Sequence, residues 1–163
     1  MPDLISHAAS AFILKNCFAQ LSLLRRKYFT VVLFGVVMPD LISRSALIFS
    51  PQWFASAQFF HTPIACFFQT VIISGCFKAN QRIMVFYALS LGWILHQVFD
   101  LLQTTLDPGN YYIFWPLYNN PVQLGIFWAD EWRWAAIFTT IVAILTSKKI
   151  ISFMKESFSR SGN

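Results

Sequence analysis

An all-α membrane protein, a polytopic bundle of about five helices, is the fold class this sequence predicts. Three observations predict it. The 163 residues are 56% hydrophobic and only 12% charged, and the mean hydropathy of +0.55 is too apolar for an ordinary soluble domain. Apolar runs of helical length recur, with the basic clusters Arg25-Arg26-Lys27 and Lys148-Lys149 at their ends. Tyr111, Tyr112, Trp115, Tyr118, Trp128, Trp132 and Trp134 crowd one part of the chain. That aromatic density suits a membrane–water interface, either as a belt or as a lid over a site. The length fits one domain, residues 1–163, and no internal linker marks a boundary.

The first helix is expected from about Ser6 to Leu24, its apolar character interrupted by Lys15, Asn16 and Gln20, which suggests cover by neighbours. It stops at Arg25-Arg26-Lys27. The second starts near Tyr28 and meets Pro39, which disfavours helix at Met38 and predicts a break or kink there. Beyond it, Leu41 to Phe49 is a further apolar piece that re-enters, lies in the interface or extends the helix. The third runs from about Thr62 to Phe77, with Pro63 acceptable in a first turn. After the polar link Lys78 to Arg82, the fourth covers about Ile83 to Thr104, long enough at ~1.5 Å per residue to cross a ~30 Å hydrocarbon core. Asp107-Pro108-Gly109-Asn110 and Asn119-Asn120-Pro121 are turn and break signals. The fifth spans about Glu131 to Ser147, with acids at its start and lysines at its end, as the helix dipole favours.

The hexapeptide Met-Pro-Asp-Leu-Ile-Ser occurs at 1–6 and again at 38–43. Without flanking similarity it reads as two similar helix-edge devices rather than a duplication. The N-terminus lacks a basic n-region and a convincing cleavage site, so retention is expected. Cys17, Cys66 and Cys76 have no CxxC spacing and lie in apolar surroundings, which predicts small buried hydrophobes.

The net charge of +5 comes from 12 Lys+Arg against 7 Asp+Glu. The bases sit at the ends of apolar runs, so membrane lipids, not nucleic acid, are the expected partners. Placing the ends after helices 1, 3 and 5 in the cytoplasm collects Arg25, Arg26, Lys27, Lys78, Arg82, Lys148, Lys149, Lys155 and Arg160 there. Arg44 and Arg133 remain outside. The expected orientation is therefore N-out/C-in.

The chemistry centres on Gly92-Trp93-Ile94-Leu95-His96-Gln97-Val98-Phe99-Asp100. On a helix, His96 and Asp100 share a face at i, i+4 spacing, with Gly92 one turn earlier. A carboxylate in hydrocarbon costs roughly 3 kcal/mol, so the pair should face the protein interior or a polar cavity. It could hold a metal, relay protons, or simply tie helices together through a His–Asp hydrogen bond. In the five-helix topology His7, Asp40 and His61 reach the same outer level as His96 and Asp100. Asp3 stands four residues before His7, mirroring His96 and Asp100. Imidazoles and carboxylates gathered at one depth point to a divalent metal, Zn²⁺ first, with Mn²⁺ or Fe²⁺ also compatible.

At these residues the chain resembles the small bacterial family described as LexA-regulated, inner-membrane-associated, metal-dependent hydrolases. His7 matches its early His, Pro39-Asp40 the first half of its Pro-Asp-x-Asp motif, and His61 the last His of a His-Arg-Gly-x-Thr-His-Ser stretch. Gly92, His96 and Asp100 match Gly-x-x-x-His-x-x-x-Asp, followed by Pro108 and Trp115-Pro116 as in the family. The resemblance covers about residues 7 to 116. Ile42 stands where the family has its second Asp, and Ala57 to Phe60 replace the His-Arg-Gly start. It implies a bacterial inner-membrane hydrolase acting on a phosphodiester or ester, of lipid or of another small molecule. His7, Asp40, His61, His96 and Asp100 would be the metal ligands, with Asp3 or Asp107 as general base. The alternative is a non-catalytic membrane scaffold or interaction protein with a degenerate metal site. A proton-coupled transporter is disfavoured by five short helices without inverted repeats.

Overall fold

Helix formation follows the apolar runs, with boundaries set by caps and local polar residues. The structure, a computed structural model, describes residues 4–49, 58–104, 113–114, 117–118, 120, 122–128, 131–147 and 152. Five α-helices lie within them: α1 (Leu4–Cys17), α2 (Arg26–Phe49), α3 (Pro63–Gly75), α4 (Ala79–Leu102) and α5 (Trp132–Leu145). Short 3₁₀ turns at Ser22–Leu24 and Gln58–His61 lead into α2 and α3. By length and composition, α4 alone among the described helices suffices to cross a membrane; α3 and α5 are shorter apolar helices.

Several boundaries differ from the sequence expectation. The first helix ends at Cys17 rather than near Leu24, and the chain turns there before the 3₁₀ turn. α2 runs unbroken through Pro39 to Phe49, so the expected break at Met38 is absent and Leu41–Phe49 extends the helix. A proline removes one backbone donor and crowds the carbonyl four residues back. Here that residue is Gly35, and Pro39 is itself fully buried, so packing on both sides holds the helix together where an isolated peptide would break. α4 begins at Ala79, absorbing most of the polar link, with the Gln81 and Arg82 amides donating to the Lys78 carbonyl. α3 starts as expected, with Pro63 in its first turn and the Thr62 hydroxyl accepting from the Ala65 amide.

One element has no counterpart in the sequence reading. The two-residue strands β1 (Gln103–Thr104) and β2 (Phe127–Trp128) pair in parallel, Gln103 opposite Phe127. This tether brings the chain before α5 back to the end of α4.

The most extensive packing is between α2 and α4, and two glycines make it possible. A Cβ on Gly92 would lie 2.3 Å from the Val32 carbonyl oxygen and 2.7 Å from the Val36 nitrogen. On Gly35 it would lie 2.6 Å from the Leu89 carbonyl oxygen. Backbone therefore meets backbone at this crossing. Around it a core of Ala11, Leu24, Phe29, Val32, Val36 and Ala88 closes. α1 is fastened to α5 by Asn16, whose amide donates to the Ala143 carbonyl at 3.0 Å and the Thr146 hydroxyl at 3.3 Å. This is the neighbour cover that a polar residue in an apolar helix calls for.

The outside is apolar. Phe68 and Ile72 on α3 and Trp134 and Phe138 on α5 are among the large side chains left exposed. The cysteines depart from expectation: Cys66 is buried, but Cys17 and Cys76 are exposed, and all three are free.

Candidate metal centre

Next to the apolar core lies a buried polar cluster. His7, Asp40, His61, His96 and Asp100 are all buried, the most accessible of them only 6% exposed. They come from four separate elements: α1, α2, the turn before α3, and α4. Each is delivered by local structure. The α4 helix places His96 and Asp100 one turn apart, and the glycine crossing one turn before His96 draws this face onto α2. Asp40 lies on α2 beyond that crossing. The 3₁₀ turn Gln58–His61 presents His61, and the buried Gln97 amide donates to the His61 carbonyl oxygen at 2.8 Å. On α1, the Ser10 hydroxyl donates to the His7 carbonyl oxygen at 2.6 Å.

The side chains then meet. His7 Nε2 is 3.5 Å from Asp100 Oδ1. His61 Nε2 is 3.4 Å from Asp40 Oδ1 and 3.3 Å from Asp100 Oδ2. His96 Nε2 is 3.3 Å from the same Asp100 Oδ2. The rings of His7 and His96 stack, centroids 4.1 Å apart and planes 21° from parallel. His61 meets His96 edge-on at 4.8 Å. All five metal ligands expected from the sequence are thus brought to one place.

The spacing fits a metal ion. Donor atoms held tetrahedrally at about 2.0–2.1 Å from one Zn²⁺ stand about 3.3–3.4 Å from one another. Four of the separations above lie within 3.3 to 3.5 Å. The fifth is shorter: the Nε2 atoms of His61 and His96 are 2.8 Å apart, closer than two tetrahedral ligands stand and a hydrogen-bond distance when either nitrogen carries a proton. Two groups could each hold an ion, His7–Asp40–His96 and His61–His96–Asp100.

Charge makes the same point. Two buried carboxylates beside neutral imidazoles carry a net negative charge that the interior cannot solvate, so a cation or protons must accompany them. Protons on both stacked rings would put two positive charges face to face at 4.1 Å. One divalent ion would balance the two carboxylates without that repulsion, as would protons on His61 and on one of the two stacked rings.

The surroundings are less complete. The Nδ1 atoms of His7 and His96 are buried without a hydrogen-bond partner among the described residues, whereas ligating imidazoles usually donate that N–H to an acceptor. Ile42 follows Asp40 by two residues on a continuous helix. Residues so spaced point to different faces, so an acid there would not share Asp40's direction. Asp3 and Asp107, the turn at 107–110 and Trp115-Pro116 lie outside the described residues.

Gln97 and Ser10 were not singled out from the sequence. Gln97 carried the available signal: an amide directly after His96 in an otherwise apolar helix needs a buried partner.

A family profile described as YdjM inner membrane protein matches residues 1–158. No curated protein and no solved structure matches the chain.

Proposed function

The chain belongs to the YdjM inner membrane protein family, and from that premise we propose that this bacterial inner-membrane protein is a metal-dependent hydrolase. In this reading His7, Asp40, His61, His96 and Asp100 hold a divalent ion, Zn²⁺ by donor chemistry. The substrate is a phosphodiester or ester, with a lipid the natural carrier. One observation carries the reading: five buried imidazole and carboxylate side chains from four elements converge at ligand spacing.

A divalent ion in such a cluster supplies Lewis acidity and an activated water near neutral pH. The chain's own residues do the rest. Asp40 and Asp100 provide the negative charge, the imidazoles stay neutral as ligands, and Gln97 fixes His61 through its backbone. Asp3 or Asp107 is the proposed general base. The bundle is polytopic and N-out/C-in, which opens the site toward the outer leaflet. Parallel advance of contacts along α2 and α4, from Gly35 beside Leu89 to Asp40 and Asp100 around His61, supports two crossings in the same direction, whichever side they start from. LexA-regulated expression, implied by the resemblance, belongs to the same proposal.

The test is metal analysis of the detergent-purified protein, together with hydrolysis of bis(p-nitrophenyl) phosphate and a p-nitrophenyl ester. Bound transition metal and turnover that chelator abolishes and Zn²⁺ restores are expected. A metal-free preparation that takes up none on dialysis would sink the proposal.

A second reading, a scaffold with a degenerate site, is favoured by the unpartnered Nδ1 atoms of His7 and His96 and by the departures at Ile42 and Ala57 to Phe60. It predicts that His96→Ala lowers the melting temperature with no effect of metal on either protein.

A further inference from the structure

The end of the bundle away from the His–Asp cluster gathers the positive charge. Both α2 and α4 run from their starts at Arg26 and Ala79 toward Asp40 and Asp100, with the meeting of Gly35 and Leu89 between. Their starts therefore share one end. The Ser22–Leu24 turn contacts both helices, and Asn16 holds the end of α1 to the end of α5 at the same level. Lys15, Arg25, Arg26, Lys27, Lys78 and Arg82 come together there, about 20 Å along α4 from His96. All but the half-buried Lys15 are exposed.

These cations have no carboxylate to pair with. The described acids are Asp40 and Asp100 in the cluster and Glu131 before the start of α5, at the opposite end. Three of the six are nevertheless held in place. The Lys15 ammonium stands 4.1 Å from the centre of the Phe29 ring and that of Lys27 5.1 Å from the Tyr28 ring. Arg82 Nε donates to the Phe77 carbonyl oxygen at 2.9 Å, which leaves its Nη groups to meet an anion. A guanidinium with both outer nitrogens available suits a phosphate oxygen pair. Hydrocarbon borders the charge: Phe18, Leu21, Phe77 and Ile83, in or beside the same turns, are large apolar side chains left exposed. A phosphodiester without chains has no use for that margin, whereas a phospholipid carries acid head and acyl chain together.

We infer that this end of the bundle binds an anionic phospholipid, its phosphate between the 25–27 and 78–82 segments and its chains against the apolar side chains beside them. The inference uses inner-membrane residence alone. It does not depend on the hydrolase reading or on which face of the membrane this end occupies.

The experiment uses the full chain purified in a neutral detergent, with native mass spectrometry counting bound lipid as phosphatidylglycerol or phosphatidylcholine of equal chain length is added. Phosphatidylglycerol adducts are expected at concentrations where phosphatidylcholine leaves none. They should weaken as ammonium acetate is raised from about 0.05 to about 0.5 M, because contacts between exposed charges are screened. Arg25→Gln/Arg26→Gln and Lys78→Gln/Arg82→Gln should each lower the affinity by roughly fivefold for every charge removed. Arg133→Gln, at the other end, should leave it unchanged. Glycerophosphoglycerol, the same head without chains, and a short oligonucleotide should compete poorly. Equal uptake of the two lipids, or adducts indifferent to salt, would overturn the inference, and both are read on the unsubstituted protein should a double variant fail to fold. So would a loss in Arg133→Gln equal to that in the double variants, full displacement by the chainless head, which marks a simple anion site, or full displacement by the oligonucleotide.

Discussion

Asp100 is the residue on which the cluster closes, since its two carboxylate oxygens reach His7, His61 and His96. Asp100→Asn keeps the shape and removes the charge. The ion should then be lost or bound far more weakly, with helix content by circular dichroism unchanged, and elemental analysis of the purified variant checks it. Unchanged metal stoichiometry would remove Asp100 from the ligand set. His96 was legible as the partner of Asp100 because i, i+4 spacing on an apolar helix leaves few other roles for the pair. Gln97 was not, because its partner is a backbone carbonyl 36 residues away and backbone groups leave no trace in sequence.

At the scale of elements, the α2–α4 crossing sets where the cluster forms. Gly92→Ala should destabilise the protein by about 1–3 kcal/mol, as overpacking a close contact does, read as a lower melting temperature in detergent. Gly75→Ala is the control: a Cβ there meets nothing within 4 Å, and the melting temperature should hold or rise slightly. Equal effects at both positions would show that the crossing is looser than its geometry implies. Asn16→Leu tests the α1–α5 tie and should cost about 1 kcal/mol, the worth of a typical part-buried hydrogen bond, with metal content intact. Helix existence was readable from apolar runs, but the ends were not. α1 ends early at Cys17 and Pro39 fails to end α2; at the fully buried Pro39 tertiary packing outweighs the local preference.

For the whole molecule, inner-membrane residence accounts for the surface. Phenylalanine, isoleucine and tryptophan side chains that a soluble domain would bury stand exposed on α3 and α5, where lipid is their solvent, while the interior holds the imidazoles and acids. The proposed N-out/C-in orientation would put Cys76, exposed at the end of α3 and two residues before Lys78, on the cytoplasmic side. In a Cys17→Ser background, a membrane-impermeant maleimide should therefore label Cys76 in inverted membrane vesicles and spare it in spheroplasts. The opposite pattern would invert the topology. Removing the proposed ion should also be felt globally. A ligand held at 100 times its dissociation constant stabilises the folded state by about 2.7 kcal/mol, so chelation should lower the melting temperature and Zn²⁺ should restore it.

The sequence by itself determined that this is a helical protein for a membrane and that His7, Asp40, His61, His96 and Asp100 belong together, while the family places it in the inner membrane. Composition and hydropathy report the solvent a chain is built for, and a charge in an apolar run must find a partner or not be there. Only the tertiary structure decided how the five meet: a glycine crossing that joins α2 to α4, a helix that continues through its proline, and an amide that holds His61 from behind. Those depend on backbone approach and long-range hydrogen bonds, which are properties of packed pairs of segments and have no signature in either segment alone.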